Sequence, residues 1–118
     1  MVLFEDLLII NGLDKDKYLK EVKRKAYIYG LNKNLLEFSN NPKYKLEYYD
    51  KDNNKYIYFG SNGYNDYIIY KMLERLKEIQ KGEADIKRHL YLSRSSKIKG
   101  NWKHNKLSKN NLSINILW

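Results

Sequence analysis

At 118 residues the chain is sized for one domain, and its 42% hydrophobic and 14% aromatic content supplies enough apolar mass for a folded core. It contains no cysteine, which excludes disulfides, thiolate zinc sites, iron–sulfur clusters and a thiol nucleophile. The formal net charge is +9, no run of 18 apolar residues offers a membrane span, and Glu5 and Asp6 stand where a secretory leader needs basic and then uncharged residues, so a soluble partner of a polyanion is expected rather than a secreted or membrane-spanning protein.

The opening Val2, Leu3, Phe4, Leu7, Leu8, Ile9 and Ile10 ends at Asn11-Gly12, which predicts a short helix packed on the core, with a partner-binding stripe as the alternative. Asp14 is placed to cap a second helix, in which Tyr18, Val22, Ala26 and Tyr29 recur on one side before Gly30 closes it. Lys17, Lys20, Lys23, Arg24 and Lys25 make the other side a solvated face. Residues 1–42 therefore read as a helical N-terminal part.

At Asn40-Asn41-Pro42 the period changes from helical to two. Tyr44, Leu46 and Tyr48 alternate with Lys43, Lys45 and Glu47, a polar turn follows over residues 50–54, and Tyr56, Ile57, Tyr58 and Phe59 rise again, which predicts a β-hairpin. In the glycine turn that follows, Gly60 and Gly63 suit positive φ or close packing, and Asp66 can cap the next helix. That helix is expected to run to Lys81, with Ile68, Met72, Leu76 and Ile79 on its apolar stripe. A break at Lys81-Gly82 precedes a shorter helix over residues 83–94, with Ile86, Leu90 and Tyr91 pointing inward. Residues 43–94 thus read as hairpin plus helices.

Residues 95–118 read as a basic arm with an apolar anchor. The stretch 95–109 has no convincing period and is expected to be a loop or arm, after which Leu112, Ile116, Leu117 and Trp118 form a patch that docks either on the chain's own body or on a neighbour. The whole is a single α+β domain: N-terminal helices, a β-hairpin or small antiparallel sheet, and C-terminal helices ending in the arm.

Charge is segregated along this order. All 14 acidic residues lie in 1–85 with 15 of the basic ones, whereas residues 86–118 carry Lys87, Arg88, Arg94, Lys97, Lys99, Lys103, Lys106 and Lys109 and no acid. Trp102, His89 and His104 fall in the same stretch, so positive charge and a stacking surface coincide there. Such a field favours nucleic acid, an anionic membrane surface or an acidic protein face. Lys, Asn, Ile and Tyr make up 56 of the 118 residues, and all four have A/T-rich codons. Codon bias enriches lysine everywhere, but it does not explain why the acids stop at Asp85.

No catalytic constellation is legible. His89 and His104 are far apart with no acid near either, so no metal or other cofactor is expected. No serine stands near a His and a carboxylate, and the glycine turn lacks the Lys and Ser or Thr of a phosphate-binding loop. The segment Lys55-Tyr56-Ile57-Tyr58-Phe59-Gly60-Ser61-Asn62 distantly resembles the second half of the motif of GIY-YIG nucleases. Ile68, Ile69 and Tyr70 stand where that family places its catalytic Arg, and Glu74 matches the metal-binding Glu by position alone.

A second resemblance covers residues 43–118. The turn from Phe59 to Tyr67, Arg88-His89 in a basic helix, Trp102 and the closing Asn111-Leu112-Ser113-Ile114-Asn115-Ile116-Leu117-Trp118 resemble a family of short basic proteins of large nucleocytoplasmic DNA viruses. Tyr70 stands where a His is common in that family. The resemblance implies no activity, but it implies a viral setting, in the virion or the infected host-cell cytoplasm. Together these readings predict a non-enzymatic virion or assembly component that meets viral structural proteins and DNA or RNA. A nucleic-acid-binding accessory factor is the alternative, and a degenerate nuclease a weaker one.

Overall fold

The computed structural model describes residues 2–118, which contain five α-helices and one three-stranded antiparallel sheet, an α+β fold. The chain gathers into two compact units, one ending at Tyr64 and the other spanning Asn65–Trp118.

In the first unit, α1 (Phe4–Ile10) buries Phe4 and Leu8, while Ile9 and Ile10 remain exposed. Asp14 caps α2 (Lys15–Ile28) by accepting from the backbone N–H groups of Asp16 and Lys17 at 3.0 and 3.1 Å, and Tyr18, Val22 and Ala26 are fully buried along it. Phe4 meets Tyr18 edge-on at 5.1 Å between centroids, and Phe38 completes an aromatic trio at 6.2 Å from each.

Phe38 belongs to a strand that the sequence reading placed within a helical part. Here β1 (Leu36–Phe38) pairs antiparallel with β2 (Tyr44–Asp50), Leu36 opposite Tyr48 and Phe38 opposite Leu46. Three residues are too few to display a period, so only the pairing partner reveals the strand. The expected hairpin joins β2 to β3 (Lys55–Ser61), with Leu46 opposite Phe59, Tyr48 opposite Ile57 and Asp50 opposite Lys55. At its turn, hydrogen bonds from the Asn53 side chain and then from the backbone hold the Asp50 carboxyl below the usual carboxylate range.

The alternation predicted for β2 fails at Lys45. Lys45 and Leu46 are both buried, Lys45 at 2% exposure with its ammonium 5.2 Å from the centroid of Phe4, while Tyr44 lies against Tyr58 at 5.9 Å. Gly60, on the paired strand, has φ 78, a left-handed conformation open to glycine at little cost.

The second unit opens with α3 (Tyr67–Arg75), capped by Asp66, whose carboxylate accepts from the Ile69 N–H at 2.9 Å. The helix stops six residues short of the expected Lys81. Lys77 takes φ 59, its N–H bonds the Glu74 carbonyl and the Glu78 N–H bonds that of Leu73, a Schellman ending with lysine where glycine is usual. Leu76 is consequently 55% exposed rather than part of a buried stripe.

Helix α4 (Glu83–Ser95) has no cap of its own at Gly82. Glu74 of α3 supplies one, accepting from the Ala84 N–H at 2.6 Å. Of the three residues expected on the inward face of α4, Tyr91 is half-buried and stacks on Trp118, but Ile86 and Leu90 are 62% and 51% exposed, and Ala84 and Ser95 are buried instead. Ala84, Tyr91 and Ser95 fall on one helical stripe of mixed polarity with the exposed Arg88 between them, so apolarity pointed to the wrong side for Ile86 and Leu90. Helix α5 (Lys109–Leu112) begins with Ser108, which accepts from the Asn111 N–H, and continues as a π-helical turn to Leu117 that buries Ile116 and Leu117.

Candidate polyanion-binding surface

The acid-free stretch 86–118 falls wholly within the second unit, where it forms α4 from its second turn on, the loop after it and the C-terminal turns. The basic residues within it take two different roles.

Arg88 is built into the fold. Its Nε donates to the main-chain oxygen of Trp118 at 2.8 Å, and its guanidinium lies 5.5 Å from the ring centroid of Tyr67. The Tyr67 hydroxyl in turn donates to Asp85 at 2.8 Å, and burial followed by that bond pushes the hydroxyl above the ordinary phenol range. Trp118 is half-buried, parallel to Tyr91 at 4.1 Å and 6.2 Å from Tyr70, with Leu112, Ile116 and Leu117 fully buried beside it in sequence.

The other cations face solvent. Arg94 is exposed near the end of α4, Lys97, Lys99, Lys103 and Lys106 are exposed along the loop, Lys109 is exposed at the start of α5, and Lys87 is half-buried. His89 and His104 are exposed as well, one on α4 and one in a 3₁₀ turn over Trp102–His104. Among the described residues no cluster of three or more His, Cys, Asp or Glu could hold a metal ion. No helix of the described residues is long and apolar enough to cross a membrane.

The loop is fastened by its own polar groups. Asn111 donates from Nδ2 to the carbonyls of Trp102 and Asn105, both at 2.8 Å, and the Ser108 hydroxyl donates to the same Trp102 carbonyl at 3.0 Å. Trp102 uses its indole N–H on the Ile98 carbonyl at 2.8 Å, and the Lys103 ammonium stands 5.5 Å from its ring centroid. The sequence names Asn111 only within the closing Asn111–Trp118 motif and gives it no fastening role, because one asparagine among fourteen carries no local signal of its partners.

Two other surfaces emerge from the geometry. Ile86 and Leu90, one helical turn apart, form an exposed aliphatic strip on α4 with Arg94 a further turn along. On the sheet, Tyr44, Tyr58, Tyr56 and Tyr49 follow one another at 5.9, 6.5 and 4.9 Å. Glu47 lies opposite Tyr58 and opposite Glu37, so carboxylates border this tyrosine row and repel phosphate.

Against known proteins, no family model, no curated protein and no solved structure matches the chain.

Proposed function

We propose that this chain is a small, basic, non-catalytic viral protein, a structural or assembly component of the virion that contacts viral structural proteins and the packaged nucleic acid. The observation that carries the proposal is the concentration of exposed Arg94, Lys97, Lys99, Lys103 and Lys106 on one acid-free stretch of chain. Phosphate binding needs clustered cations with little competing carboxylate, and association then releases counterions condensed on the polymer. The viral setting rests on the resemblance over residues 43–118. The exposed aliphatic strip of Ile86 and Leu90 supports a protein contact beside the cationic one.

If four to six of these cations touch phosphates, affinity for DNA falls about 10²- to 10³-fold between 50 and 200 mM salt. A fluorescence-anisotropy titration measures this. No binding at the lower salt, or binding indifferent to salt, rejects nucleic acid as the partner. Mass spectrometry of purified particles tests the virion role, and a protein found only in infected cells, bound to nucleic acid, is instead an accessory factor.

A further inference from the structure

The loop after α4 carries a feature that charge alone does not need. Its single tryptophan is held in place at several points. The Trp102 N–H is bonded to the Ile98 carbonyl, and the Trp102 carbonyl accepts from both Ser108 and Asn111. With its one donor satisfied internally, the half-exposed indole has only its ring surface left to offer a partner. The Lys103 ammonium lies over one side of that ring, and Lys97, Lys99 and Lys106 are exposed on the same short loop.

We infer that this loop takes single-stranded nucleic acid, with an unpaired base stacked on Trp102, the neighbouring lysines on the flanking phosphates, and Asn111 as the positioning residue that holds the loop in register. In a duplex the bases are stacked on one another and offer no free ring face at their edges. A tryptophan on a short loop therefore gains a stacking partner only where the strand is open. The lysines serve any polyanion, so Trp102 is what separates an open strand from a duplex or a sulfated polysaccharide. Asn111 acts through the backbone. Its two 2.8 Å bonds to the carbonyls of Trp102 and Asn105 close the loop, and without them each contact would first have to order a flexible segment. The inference rests on the polyanion reading above and narrows it to a class of partner.

The experiment compares three probes at about 50 mM salt: an oligothymidylate, a duplex of the same length and heparin. Trp102→Ala should weaken the oligothymidylate about tenfold or more and leave duplex and heparin within about twofold, because stacking on an aromatic ring is lost while every cation remains. Asn111→Ala should shift the same ratio in the same direction with net charge unchanged. Thermal unfolding of both variants separates a loop effect from loss of the fold. An independent readout needs no loop substitution: in Trp118→Phe, Trp102 is the sole tryptophan, and its fluorescence should be quenched by the oligothymidylate and not by heparin. Equal losses on all three probes, or unquenched Trp102 in a bound complex, overturn the single-strand inference while the polyanion reading stands. Failure of the unsubstituted protein to bind any of the three overturns both.

Discussion

Trp118 lies face to face with Tyr91, the planes 7° apart, and Arg88 bonds the same residue's main-chain oxygen. Stacked rings at this separation contribute apolar burial and close dispersion contact. Because the indole is half-buried, Trp118→Ala is expected to cost about 2 kcal/mol, less than the 3–5 of a fully enclosed tryptophan, and to lower the thermal unfolding midpoint of the isolated chain by several degrees. An unchanged midpoint would mean that the ring is solvated until a partner arrives. The same scale of description separates the basic residues. Arg88, though exposed, spends its guanidinium on Trp118 and the Tyr67 ring, and Lys103 lies over the Trp102 ring, whereas Lys97 and Lys99 extend into solvent. An Arg88 substitution is therefore a stability experiment, and a Lys99 substitution is a binding experiment.

At the scale of elements, three helices end in the same way. α1, α2 and α3 each close with a left-handed residue, Gly12, Gly30 and Lys77 at φ 73, 93 and 59, and in each the following N–H bonds back five residues, to Leu8, Ala26 and Leu73. Two of these stops are legible in the sequence because glycine announces them. The third is not, since a lysine in a polar stretch reads as continued helix, and the predicted helix accordingly overran to Lys81. A non-glycine residue in this conformation costs about 1–2 kcal/mol, partly offset by the extra freedom glycine has when unfolded. Lys77→Gly is therefore expected to stabilise the protein by up to about 1 kcal/mol, read as a rise in the urea midpoint at constant slope. A fall would mean that the lysine side chain holds the turn by a contact worth more than the strain. The inward face of α4 was misread for a related reason. Apolarity selected Ile86, Leu90 and Tyr91, but of these packing uses only Tyr91, together with Ala84 and Ser95, and what a helix buries depends on what it faces.

For the molecule as a whole, the proposed absence of catalysis has a direct test. The carboxylate that a nuclease reading would assign to metal, Glu74, accepts from the Ala84 N–H and from Lys71, and its side chain is 9% exposed. Incubation with supercoiled DNA, single strands and RNA in Mg²⁺ or Mn²⁺ is expected to give no cleavage, and Glu74→Ala to destabilise by about 1–2 kcal/mol through the lost cap. Cutting that vanishes in Glu74→Ala would reinstate the nuclease. The sequence alone determined the α+β class, the hairpin, the caps at Asp14 and Asp66, two of the helix stops and the separation of a polycationic third from the rest. All of these are written in a residue's own type or in neighbours within a few positions. Tertiary structure decided the third strand, the inward turn of Lys45 beside Phe4, the true buried face of α4, the row of four tyrosines and the fastening of the Trp102 loop by Asn111. Each of these depends on which distant groups come together, and a short strand, a mixed-polarity stripe or a single asparagine carries no local mark of the partner it will meet.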